Sequence, residues 1–314
     1  MSDPVFTPSG RQIEIVHGAQ RVTVVEVGGA LRAYRIGEYE VLDGYGLQEQ
    51  CTGARGQSLI PWPNRLEDGV YTFDGQEQQL ALSEPAKHNA LHGLVRWCNW
   101  SVAEREDHRV VMVHRLHPQP GYPFALDLSI AYSLSAAGLR VTTTAVNVGP
   151  KSCPYGAGAH PYLTVGAERL DDATLAVPAS TWLPADERGL PLGEQPVDGT
   201  PYDFREPRTI AATQLDTGYT DLLRDEDGLA RVRLSAGQTG PAVALWVDES
   251  HPYLMVFTGD SLPEPERRRR GLGVEPMTCA PNALRSGAGL QILEPGSSFT
   301  GSWGIEPDAV RTTP

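Results

Sequence analysis

Positive charge is scarce in this chain: 26 lysines and arginines stand against 39 aspartates and glutamates, a formal net charge of −13. Phosphate contacts need a basic face, so nucleic acid is not expected as a general partner. Cysteine is sparse too. Cys51, Cys98, Cys153 and Cys279 lie far apart and none stands in a CxxC pair, which reads as free thiols in a reducing compartment. Runs approaching eighteen apolar residues are missing, so no membrane span is expected. The opening residues, Met-Ser-Asp-Pro-Val-Phe-Thr-Pro-Ser-Gly, lack the basic and apolar regions of a secretory signal. A cytoplasmic location is the expectation. Helical repeats, low-complexity tracts and linkers are also missing.

What is present is turn-forming residues and alternation. With 314 residues, 40% of them apolar, the chain can bury a large core. It carries 33 glycines and 26 prolines, which favours short strands joined by turns over long helices. Period-two runs recur in residues 11–41, 101–148 and 230–257, and short strands are expected at 70–73, 173–177, 290–293 and 299–305. Asp74-Gly75 reads as a hairpin turn. The expectation is an all-β chain: antiparallel sheets packed face to face as one domain over residues 1–314, with few short helices.

The stretch from Asn89 to Trp100 concentrates chemistry. His92 precedes Gly93, which permits a tight turn or a close approach. Arg96 and two tryptophans follow, a combination suited to a neutral, hydroxyl-rich ligand. A second histidine, His160, follows the small residues of Gly156–Ala159 and precedes Pro161, which biases it to an extended backbone. Asn64 and Arg65 follow Pro61-Trp62-Pro63 on what reads as a stiff loop. Arg65 suits hydroxyl recognition there, or pairs with Glu67 or Asp68. Asp216 can cap a turn at Gly218 or accept hydrogen bonds from hydroxyls. Glu275 closes an apolar strand, where partial burial would poise it as a base.

Other polar residues read more plainly. His88 and His92 have i,i+4 spacing, but Asn89 replaces the glutamate of a zinc-protease helix and the local pattern is not helical, so no metal is expected. His17, His114 and His117 read as surface residues. The run Arg267–Arg270 reads as a solvated loop, with phosphate binding as its alternative.

These segments, in this order, resemble the aldose 1-epimerase (galactose mutarotase) family. The resemblance is carried by Pro63-Asn64-Arg65 with Gly69 and Phe73-Asp74-Gly75, by Asn89-Ala90-Leu91-His92-Gly93, and by His160-Pro161-Tyr162-Leu163. It continues in Asp216-Thr217-Gly218-Tyr219, in Val274-Glu275-Pro276 with Pro281-Asn282-Ala283, and in Leu293-Glu294-Pro295-Gly296. It implies a galactose mutarotase-like β-supersandwich and interconversion of α and β anomers of a free aldose by ring opening and reclosure. In that reading Glu275 is the base, His160 the acid and His92 a helper. Arg65, Asn64, Asp216, Arg96 and Tyr162 are substrate-binding residues. Glu294 belongs to the closing turn and is given no chemistry. Leu94-Val95-Arg96-Trp97 also resembles the hexose-6-phosphate 1-epimerase branch, and a non-catalytic carbohydrate-binding protein on the same fold is the third reading. No cofactor is implied. The partner is a small sugar, with no nucleic acid or membrane, in a monomer or homodimer. Glu275 and His160 are expected to face each other across a cleft one pyranose ring wide.

Overall fold

The computed structural model describes residues 6–237 and 240–307. Antiparallel strands dominate. Among the described residues the only α-helix is the four-residue Ala283–Ser286, beside three short 3-10 turns. A four-stranded sheet runs from Gln12–His17 to Tyr39–Glu40. Its first strand packs against Arg109–Leu116 and Leu126–Ser135 of a nine-stranded sheet. In that larger sheet Ser298–Pro307 lies between Gly138–Asn147 and Ala242–Val247. An eight-stranded sheet and three two-stranded ladders complete the architecture among the described residues. One hydrophobic core draws side chains from the three large sheets, including Ile13, Ile130, Ile305, Leu254 and Val274.

The sequence pattern explains which strands sit where. Leu126–Ser135 alternates buried and partly exposed residues along nearly its whole length, as a strand with one face on the core must. Ala242–Val247 and Leu272–Met277 are buried at every position and therefore covered on both faces. The expected short strands appear at Val70–Phe73, Thr174–Ala176 and Gln291–Leu293. Asp74 and Gly75 both adopt positive φ, as the tight hairpin turn requires. All four cysteines are free thiols.

Three local expectations are corrected. Asp216-Thr217-Gly218 is no turn: it opens the strand Asp216–Leu222, which pairs with Tyr253–Phe257. Glu275 does not end its strand but sits inside Leu272–Met277, opposite Met255. The run Arg267–Arg270 is only in part a solvated loop: Arg268 and Arg270 are exposed, but carboxylates and carbonyls engage all four side chains. Arg267 meets Asp43 and Glu49, Arg270 meets Asp43, and Arg268 donates to the Leu262 carbonyl. Arg269 is buried and bridges Asp260 and Asp171 while donating to the carbonyls of Thr213 and Ala211. A guanidinium has enough donors to tie several loops at once.

Arg269→Ala is therefore expected to cost about 3 kcal/mol of stability, because it strands Asp260 and two carbonyls. Arg268→Ala, on an exposed side chain, should stay within about 0.5 kcal/mol. Urea denaturation with unchanged slope checks both, and equal effects would contradict the structural role given to Arg269.

Candidate active site

The strand carrying Glu275 is central in the eight-stranded sheet. Tyr253–Phe257 pairs along one edge; Gly158–Ala159 and Tyr162–Leu163 pair along the other. Between those two short strands the chain steps past at His160 and Pro161. The Val274 amide donates to the Pro161 carbonyl at 3.0 Å, and the His160 amide donates to the Gln57 carbonyl at 3.1 Å. This step sets the His160 ring against Glu275, with Nε2 3.2 Å from Oε1.

His92 arrives from a second ladder. Arg65–Glu67 pairs with Asn89–Leu91, and at its end Asn64 and His92 both adopt positive φ. The His92 amide donates to the Asn64 carbonyl at 2.9 Å, and the Asn64 amide donates to His92 Nδ1 at 3.1 Å. Because Nδ1 accepts, the neutral His92 ring carries its proton on Nε2. The freedom of Gly93 serves close backbone approach: a Cβ there would stand 2.1 Å from the Ile60 carbonyl oxygen. The His92 and His160 rings meet edge to face, with centroids 5.5 Å apart.

Glu275, His160 and His92 line a cavity of about 380 Å³ together with Asn64, Arg65, Arg96, Tyr162 and Asp216. All eight site residues expected from the sequence therefore meet at one place. His88 does not join them. It lies exposed against Asp68, at 2.8 Å, so the i,i+4 histidine pair is dissolved. Asp221, the other aspartate of its strand, accepts from the Thr181 hydroxyl instead. Glu294, in the closing turn, takes the Ser152 hydroxyl.

The contact between Glu275 and His160 overturns the expectation of two groups on opposite sides of a ring-wide cleft. They stand side by side on one wall. This suits chemistry at a single carbon, because the two oxygens to be handled in a hemiacetal are bonded to the same atom.

Several neighbours are not those that sequence spacing suggests. Arg65 forms a two-pronged contact with Glu84, at 2.9 and 3.1 Å, instead of pairing with Glu67 or Asp68, and it stands 3.9 Å from Asp216. Arg96 takes the Gln57 side chain at 3.3 Å. Tyr162 spends its hydroxyl on the Gly53 carbonyl and stacks its ring on His160, at 4.9 Å and 11°. Its ring forms a wall, and its hydroxyl proton is committed to Gly53. The buried Arg55 lies over the same tyrosine ring and pairs with Asp43. No periodicity or motif in the sequence marks Glu84, Gln57 or Arg55.

Burial dominates the electrostatics. It pushes the Glu275 carboxyl well above the usual carboxylate range; Asp216 adds to the rise and Arg65 opposes it. It pushes His160 down to about 3, with Arg55 and Arg96 acting the same way. His92 falls well below the ordinary imidazole value for the same reason, helped by His160, Arg96 and Arg65. The resting pair is thus neutral, with one shared proton to pass between carboxyl and imidazole. Glu275 Oε2 and His160 Nδ1 are buried without a hydrogen-bond partner among the described residues. Such atoms are costly unless a ligand satisfies them. The three groups also offer donor atoms within 4.8 Å of one another, enough for a cation held by two imidazoles and a carboxylate. The direct Nε2–Oε1 contact turns two of those atoms toward each other.

The sequence model of the family described as aldose 1-epimerase matches residues 11–306, and the chain belongs to that family. YihR of Escherichia coli, named an uncharacterised protein, is 34% identical over 289 residues, 92% of this chain and 90% of that one. The aldose 1-epimerase of Escherichia coli is 25% identical over 278 residues, 81% of this chain and 78% of that one. A solved GalM/aldose epimerase homologue from C. elegans superimposes with a TM-score of 0.85 at 17% identity, covering 95% of this chain and 98% of that one. That superposition fixes the galactose mutarotase-like fold.

The raised Glu275 value makes a prediction about stability. In the unfolded chain the carboxyl ionises near 4.5. The stability tied to its neutral form is complete below that value and is lost as pH rises through the folded value. His92 and His160 behave oppositely: their stability is present above 6.5 and is lost as pH falls. Glu275→Gln, neutral at every pH, should gain melting temperature relative to the native protein as pH rises from about 4.5 to about 8, at up to about 1.4 kcal/mol per pH unit. A difference that stays constant with pH would contradict a buried neutral carboxyl.

Proposed function

We propose that this chain is an aldose 1-epimerase that interconverts the α and β anomers of a free aldose. The observation that carries the reading is the contact between Glu275 and His160, each with an unsatisfied polar atom, on the wall of a sugar-sized cavity. Opening the ring requires loss of the proton on the C1 hydroxyl and gain of one by the ring oxygen. Closing it on the other face reverses the two transfers. In our reading the Glu275 proton passes to His160 as the sugar binds, which needs no exchange with solvent because the pair's proton count is unchanged. The carboxylate then takes the hydroxyl proton, and the imidazolium protonates the ring oxygen. His92, with its proton held on Nε2, donates a hydrogen bond to the oxygen on which charge develops. Arg65, braced by Glu84, and Asp216 serve the hydroxyls farther round the ring, and Asn64 and Arg96 complete the polar lining. No metal or redox cofactor enters these steps.

A hexose 6-phosphate remains the rival substrate. The engagement of Arg267–Arg270 with carboxylates and carbonyls favours the neutral sugar, and Arg65 is already committed to Glu84. Glu275→Gln and His160→Gln should each lower anomer exchange at least about a hundredfold while the fold persists. Polarimetry on fresh α-sugar and exchange NMR on free and phosphorylated aldoses read this out. An unchanged rate in Glu275→Gln would remove it as the base, and exchange of phosphorylated sugars alone would replace the neutral substrate.

A further inference from the structure

Residues 184–192 fold into a small finger. Ala185 bridges Pro191, the Leu192 amide donates to the Pro184 carbonyl, and the Asp186 amide donates to the Leu190 carbonyl. At the tip the Asp186 carboxylate accepts from the amides of Arg188 and Leu190, at 2.9 and 2.8 Å, which fixes the turn. Leu190 is buried and anchors the finger. Arg188 grips the loop between Glu84 and Asn89, whose two end residues exchange backbone hydrogen bonds. Its guanidinium donates to the carbonyls of Lys87 and His88, at 3.0 and 2.8 Å, and to Asp68 at 2.8 Å. In return the fully buried Asn89 donates from Nδ2 to the Arg188 carbonyl at 2.9 Å and to Glu84 Oε2 at 3.1 Å. One amide nitrogen thus joins the finger to the carboxylate that braces Arg65. Gly189 reaches Arg65 directly. A Cβ added there would stand 2.5 Å from Nη1, 2.7 Å from Cζ and 3.0 Å from Nε, and the residue has a φ of +77°. A glycine lets the backbone come this close to the guanidinium in that conformation. Arg188 does not line the cavity of the site, and its donors are spent on protein groups.

We propose that Arg188 and Gly189 are positioning residues for sugar binding: the finger tip sets the Arg65 guanidinium at the cavity wall, through Asn89 and Glu84 and by direct contact. The inference rests on the aldose 1-epimerase reading for its kinetic readout but not for the placement of Arg65. The tip acts on Arg65 and leaves the contact between Glu275 and His160 alone. Its loss therefore weakens the hold on the sugar hydroxyls in the ground state and the transition state alike. Such a loss raises KM and spares kcat.

The test measures two things in the native protein, in Arg188→Ala and in Gly189→Ala. One is anomer exchange of glucose and galactose. The other is the Arg65 Nε–H signal in heteronuclear NMR, assigned by its loss in Arg65→Gln. Arg188→Ala removes the grip from a partly exposed side chain, and Gly189→Ala pushes a methyl group against the guanidinium. Each should raise KM about fivefold or more with kcat within about twofold, and each should shift or broaden the Arg65 signal. Arg188→Lys keeps the charge but not the fork of donors, and should restore little. With Arg65→Gln already in place, the same substitutions should change KM by less than about twofold, because the group they position is gone. Fully additive effects in Arg65→Gln, a fall in kcat with KM unchanged, or an unmoved Arg65 signal in both variants would overturn the inference. A displaced Arg65 signal in the variants, with no exchange of any sugar by the native protein, would sink the acid–base reading and leave the positioning role standing. Exchange by the native protein with an unmoved Arg65 signal in both variants would do the reverse.

Discussion

A carboxyl group and an imidazole touch where neither can ionise cheaply, and the site is arranged around that fact. Glu275 is buried because its strand is covered on both faces and flanked on both edges. His160 is brought to it by a break between two short strands that pair with the same neighbour. Removed from water, the pair keeps one proton and no net charge, with burial favouring the neutral carboxyl and the neutral imidazole. The coupling is local, and its strength comes from the sheets that exclude solvent from it.

The surrounding residues hold this pair and shape the space beside it. Asn64 fixes the His92 tautomer through its backbone amide, so the orientation of that ring follows from chain geometry. Glu84 spreads across the Arg65 guanidinium and keeps it directed along the cavity wall. Tyr162 supports the face of His160, with Arg55 against the tyrosine and Asp43 against Arg55. The orientation of the cavity-lining side chains thus depends on polar and ring contacts one layer back.

Much of the fold was legible because alternation is a direct image of a strand with one wet face. Leu126–Ser135 reads that way residue by residue. Glu275 stood out as an acid within an apolar segment, and His160 as a histidine beyond a run of small residues. The distances were not legible. Whether two groups distant in sequence touch or face each other across a gap depends on how the short strands step past one another, and one residue pair, His160-Pro161, decides it. The partner of Arg65 was missed because Glu84 is brought in by a single bridge to Asn89, on the strand that pairs with Arg65–Glu67, whereas sequence proximity favours Glu67. The arginine run misled for a related reason: Asp43, Glu49 and Asp171 converge on it from distant segments and Asp260 from just upstream, so its charge looks free only in one dimension.

The central claim is that Glu275 and His160 hold one proton between them in a neutral resting pair. Infrared difference spectroscopy of the free protein against Glu275→Gln, near pH 6, tests it most directly. The account predicts a protonated-carboxyl carbonyl band that belongs to Glu275 and fades only as pH is raised well beyond the usual carboxylate range. A carboxylate band from Glu275 at that pH, with no protonated form, would contradict it.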